Sequence, residues 1–152
     1  MRKIMLIILL IISIVFDFCT YERLNDKTKL ANQIFMGNLS AAKSSFGIDY
    51  SKLNEDEKTF YYLQISSTLY TAMNTLDLTS YNDIKNRNEL FSAIHNLYWC
   101  MTRSDSRKAI LTNRVLVYKY LSEIILNSKD EKDCQALSKL AGDLYFNRVK
   151  QF

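Results

Sequence analysis

At 152 residues, with 48% hydrophobic and 24% charged side chains, the chain has room for one compact domain and too little for a second. A net charge of +4, from 20 basic and 16 acidic residues interleaved along the chain, excludes the concentrated basic face of a nucleic-acid binder. Three glycines and no proline exclude an architecture built on tight turns and point to helices.

The first segment differs from the rest. Arg2 and Lys3 precede an apolar run from Ile4 to Val15 that only Ser13 interrupts, the layout of a secretion signal, and the run meets Asp17 before reaching spanning length. Residues 1–18 are therefore read as a signal peptide. Cys19 stands where a bacterial lipoprotein signal ends, as the residue that takes lipid and becomes the new first residue. The usual pattern has a small residue before that cysteine and this chain has Phe18, so two readings stay open: a tolerant lipobox, or an apolar segment with an incidental cysteine. Loss of residues 1–18 removes Arg2, Lys3 and Asp17 and lowers the net charge by one. Residues 19–25 read as a flexible polar tether.

Apolar residues then recur at three- and four-residue spacing in five segments, each a predicted helix. The first covers about Asp26 to Ser44, with Leu30, Ile34 and Ala41 on one side and Gly47 as its stop. The second is capped by Asn54, with Glu57 three residues on as in a capping box, and aligns Tyr61, Ile65, Leu69, Ala72 and Leu76. Phe60, Leu63 and Tyr70 fall on its opposite side, to be covered by the first helix or left as an apolar strip for a partner. The third starts near Ser80 and aligns Ile84, Phe91, Ile94, Tyr98 and Met101. The fourth, capped by Asp105 or Ser106, aligns Ile110, Val117, Leu121 and Ile124 and carries Leu111, Val115, Leu116 and Leu126 elsewhere, as a central helix would. The fifth opens with Asp130, Glu131 and Asp133, aligns Cys134, Leu137, Ala141 and Leu144, and closes with Arg148 and Lys150, charges that suit the helix dipole. Three triplets resemble one another, Thr68-Leu69-Tyr70, Asn96-Leu97-Tyr98 and Asp143-Leu144-Tyr145, but their uneven spacing makes them independent packing units and not a repeat array. The expected fold is all-α, a single five-helix up-down bundle over residues 26–152.

No catalytic constellation emerges. The single histidine, His95, is flanked on the third helix by Ile94 and Leu97, without a second histidine or acidic cluster at ligand spacing, and reads as a partly buried core residue. Cys100 and Cys134 lack the CxxC spacing of a metal site. In an up-down bundle they start and end helices about 30 Å apart, too far for a disulfide. Isolated glycines at 37, 47 and 142 build neither a phosphate loop nor a nucleophile elbow. No catalytic residue, metal or cofactor is expected. The basic residues Arg103, Arg107, Lys108 and Arg114 read as a solvated helix connection. Arg114 falls inside the apolar stripe of the fourth helix, where it either snorkels or pairs with a carboxylate.

The basic start, the long Ile/Leu run ending in Cys19 and the Pro-free, Asn/Lys/Ile-rich helical body resemble the small plasmid-encoded outer-surface lipoproteins of Lyme-group spirochaetes, most of all the OrfD-like paralogous family. That resemblance implies an exported helical lipoprotein held in the outer membrane through Cys19 and facing outward, in a group whose members often bind host proteins. The expected role is thus a lipid-anchored binding module with no nucleic-acid partner. Its candidate partners are a host protein or a second copy, with Phe60, Leu63 and Tyr70 as the candidate contact residues. A structural lipoprotein facing the periplasm is the alternative.

Overall fold

The computed structural model describes the backbone of residues 2–149 and the side chains of residues 10–146. The early part of the expected signal segment and the terminal Arg148 and Lys150 therefore lie outside the described side chains. Six α-helices appear where five are expected: α1 (Arg2–Phe46), α2 (Glu55–Thr75), α3 (Arg87–Thr102), α4 (Ser104–Thr112), α5 (Arg114–Leu126) and α6 (Glu131–Val149). No described residue is in a strand.

α1 runs without a break through the stretch read as a flexible tether. Residues 19–25 contain no glycine or proline, so each residue added to the helix gains a hydrogen bond at little cost once the helix has started. Thr20 folds its hydroxyl back onto the carbonyl of Phe16 at 2.8 Å, within the helix. The buried stripe of α1 is Ala31, Phe35, Leu39, Ala42 and Phe46, one residue round from the expected Leu30, Ile34 and Ala41. That rotation of about 100° puts the two phenylalanines inside and leaves Leu30 and Ile34 exposed. The helix ends at Gly47, where a Cβ would lie 3.2 Å from both the Ser44 carbonyl oxygen and the Tyr118 ring. A side chain there would make the Tyr118 ring of α5 give way by a few tenths of an ångström.

Beyond the turn, α2 begins with the expected capping box: the Asn54 side chain accepts from the amide of Glu57, and the Glu57 carboxylate accepts from the amide of Asn54, each at 2.9 Å. Ile65, Leu69 and Ala72 face the core, and Leu76 follows in the next turn. The third helix starts at Arg87 and not near Ser80. Thr79 caps a short 3-10 turn at Ser80–Asp83, so the chain is already committed to a turn there, and Asn86 is buried with its amide donating to the Ser128 carbonyl at 3.1 Å. The core residues of α3 are Leu90, Ala93, Ile94, Leu97, Cys100 and Met101. The expected members Ile84, Phe91 and Tyr98 are only half-buried.

The expected fourth helix is two helices broken at Asn113, whose side-chain amide donates to the Ala109 carbonyl at 2.9 Å. Ile110, Val117, Leu121 and Ile124 are buried as their spacing predicts. Val115, Leu116 and Leu126 are exposed, however, so α5 is a flank element packed on α1 and α6 and not a central helix. Arg114 opens α5 with its guanidinium 3.5 Å from the Asp49 carboxylate and about a quarter of its side chain in solvent, between the two readings of it.

Side-chain contacts fix the helix directions. Ser45 meets Gln64 at one end of α1–α2 and Asn32 meets Ser80 at the other, so these two run antiparallel. Arg87 pairs with Asp77 and Tyr98 with Tyr70, so α2 and α3 are antiparallel as well. α6 runs parallel to α3: the Asn96 amide donates to the Ser138 carbonyl at 3.2 Å and the Cys100 thiol to the Ala141 carbonyl at 3.0 Å. Both thiols are free and buried. Cys134 lies seven residues before Ala141, or about 10 Å along α6 from the position beside Cys100, nearer than the expected 30 Å yet still beyond the reach of a bridge.

Candidate interaction face

On α2 the core stripe occupies one side, and the opposite side carries Phe60, Leu63 and Tyr70, which are 60%, 66% and 51% exposed. The first helix covers the core side, so these residues are not core. They share a face without forming one cluster: the Phe60 ring packs edge-on against Tyr61 at 5.3 Å, whereas Tyr70 turns to α3 and meets Tyr98 at 5.7 Å.

From Tyr98 the aromatic contacts continue across three helices. Tyr98 adjoins Trp99 at 5.5 Å, Trp99 meets Tyr145 of α6 at 6.3 Å, and Tyr145 packs edge-on against Phe146 at 5.1 Å. A branch runs back along α3, where four-residue spacing stacks His95 on Phe91 at 5.5 Å and brings its Nε2 to accept from the Trp99 indole N–H at 2.9 Å. Arginines close both ends, Arg87 over Phe91 at 5.3 Å and Arg103 over Tyr145 at 5.0 Å. Each aromatic pair contributes about 0.5–1.5 kcal/mol beyond its buried area and each exposed arginine–ring contact about 0.5–1 kcal/mol, enough in series to hold the side chains in place.

The result is a preordered surface that remains open to solvent, with Trp99 40% and Phe146 57% exposed. Tyr70, Tyr98 and Tyr145 are the third members of the three sequence triplets. In two of these triplets the leucine is fully buried and the tyrosine, one position further round, stands at the edge of the core. The triplets are therefore not independent: they converge on one face. Reading them separately missed this because the convergence depends on the parallel pairing of α3 with α6.

Three of the four basic residues around the helix connection are tied to neighbours, while Lys108 is exposed. Arg107 lies over Tyr62 at 4.7 Å and donates to the Met101 carbonyl at 3.2 Å, Arg103 lies over Tyr145, and Arg114 pairs with Asp49. His95 lies half-buried within the aromatic series, beside the core and not inside it. Cys19 is exposed on α1, and among the described residues no helix is long and apolar enough to cross a membrane. No group of three or more His, Cys, Asp or Glu among them could hold a metal ion.

Comparison with protein-family models, with curated proteins and with solved structures returned no match to this chain.

Proposed function

We propose that the chain is an exported, lipid-anchored interaction module whose working surface is the aromatic face of Tyr70, Tyr98, Trp99, Tyr145 and Phe146, with Arg103 at its edge. The observation that carries this reading is the convergence of the exposed Tyr70, the only tryptophan, Trp99, and Phe146 on one surface, held by ring contacts through the half-buried Tyr98 and Tyr145. Tryptophan, tyrosine and arginine are the residues that dominate binding energy at protein interfaces, and rings already held in place lose little freedom on binding. Phe60 and Leu63 extend the same side of α2 as a second, smaller contact.

Attachment rests on the sequence: a basic start, an apolar run and Cys19, which the resemblance to spirochaetal lipoproteins makes the lipid site of an outer-membrane, surface-facing protein. The antiparallel contacts of α1 with α2 and α2 with α3 support an up-down reading of the bundle. No residue is nominated for catalysis, and no cofactor is assigned.

A pull-down from host serum and extracellular matrix with the full chain tests the binding role, with Trp99→Ala and Tyr145→Ala as controls. A protein captured by the wild type and lost by about 2 kcal/mol, or roughly thirtyfold, in either variant is the expected result. Capture unaffected by both variants would move the site elsewhere. Protease treatment of intact cells separates the surface role from a structural one in the periplasm, since only a surface protein is digested.

A further inference from the structure

The core stripe of α1 does not stop where the bundle stops. Phe46, Ala42, Leu39, Phe35 and Ala31 are buried, and the stripe continues in the same register through the half-buried Thr28 to Leu24 and Tyr21, which are 59% and 69% exposed. Leu30 and Ile34 widen it on one side, and Leu78, in the turn after α2 and 66% exposed, stands across from it. Together they bound a groove of about 380 Å³ with Lys27 in its wall.

What this collar faces is decided by its place on the chain. It lies on the same unbroken helix as Cys19, the proposed lipid site, so Leu24 is only about 8 Å along the axis from that residue with no hinge between them. The exposed stripe after Cys19 spans about one heptad, whereas pairing of two helices as a coiled coil takes at least three. Lys27 and Lys29 flank the apolar residues, and long basic side chains of this kind lie along apolar surface while their charge reaches a polar headgroup layer.

We propose that this collar, Leu24, Leu30, Ile34 and Leu78, rests on the surface of a phospholipid bilayer. The inference depends on the membrane attachment proposed above and adds an orientation to it. Trp99 lies twelve residues along α3 from Arg87, whose partner Asp77 adjoins Leu78, and so stands about 18 Å along the bundle from the collar.

The chain has one tryptophan, and it reports the distal end. Leu78→Trp combined with Trp99→Phe moves that reporter to the collar. The processed protein, lipid-modified at Cys19, is reconstituted with phosphatidylcholine vesicles carrying brominated acyl chains, with plain vesicles as reference, and flotation is measured alongside. The expected result is loss of more than half the emission at position 78 and its protection from aqueous iodide, with no bromine quenching of Trp99 in the wild type. Protein that floats while position 78 is not quenched by bromine overturns the collar and leaves the anchor standing. Protection from iodide without bromine quenching means another protein chain covers the groove, which also overturns it. Protein that fails to float removes the anchor and the collar together. Leu24→Trp with Trp99→Phe repeats the reading at the second wall, should Leu78→Trp fail to fold.

Discussion

The indole N–H of Trp99 donates to Nε2 of His95 at 2.9 Å, one turn back on α3, and the imidazole is itself stacked on Phe91. The most exposed large ring of that helix is thereby held by a polar contact as well as by its aromatic neighbours. His95→Phe keeps the stack and removes the acceptor. Trp99 emission anisotropy is expected to fall while the stability of the fold changes by less than about 1 kcal/mol, the net worth of one such bond. An unchanged anisotropy would show that the rings alone position the indole.

The exposed side of α2 is separable from its core side. Leu63→Ala and Tyr70→Ala are expected to cost less than about 1 kcal/mol, whereas Leu69→Ala, at a fully buried site, is expected to cost about 2–5 kcal/mol. Chemical denaturation of the three variants checks this. Equal losses would mean that Leu63 and Tyr70 are packed in solution.

Burial pushes the Cys100 thiol from its ordinary value of 9.0 up to about 12 and, with nearby carboxylates adding to the effect, that of Cys134 to about 11. The folded state thus holds its thiol protons more tightly than the unfolded state. The stability tied to this is complete below pH 9 and is lost as pH rises through about 11 and 12, because the unfolded chain releases those protons first. In full-length Cys19→Ser at pH 8, a thiol reagent is expected to leave both cysteines unmodified until denaturant is added. Rapid reaction of the native protein would contradict their burial.

Asn86 is a buried polar side chain whose amide spans from the start of α3 to the Ser128 carbonyl ahead of α6. Asn86→Ala leaves that carbonyl without its donor, and a loss of about 1–3 kcal/mol is expected. Thermal unfolding measures it. A neutral effect would mean that water replaces the amide.

What could be read from the sequence was local. The Asn54–Glu57 capping box and the acidic start of α6 are set by residues within one turn of each other, and both are legible by spacing alone. The choice between Ala31 with Phe35 and Leu30 with Ile34 as the inward face of α1 is made by α2 and α5, so the stripe was misread by one position. Asn113 carries no signal distinguishing a break from an ordinary helical asparagine. The same limit applies to the candidate face: Phe60, Leu63 and Tyr70 were visible as a strip, but joining Tyr70 to Tyr145 requires the packing of α2 on α3 and of α3 on α6, across 75 positions of chain.

Because α1 passes from Cys19 to Ala31 as one helix, the bundle and whatever Cys19 carries are geared together. Inserting one residue between them would swing the whole bundle by about 100° and raise it by about 1.5 Å, and inserting seven would return it almost to its starting heading about 10 Å higher. A slack linker would absorb both changes unnoticed. The spacing between the cysteine and the core is therefore a phase, in which the number of residues sets the compass bearing of the aromatic face.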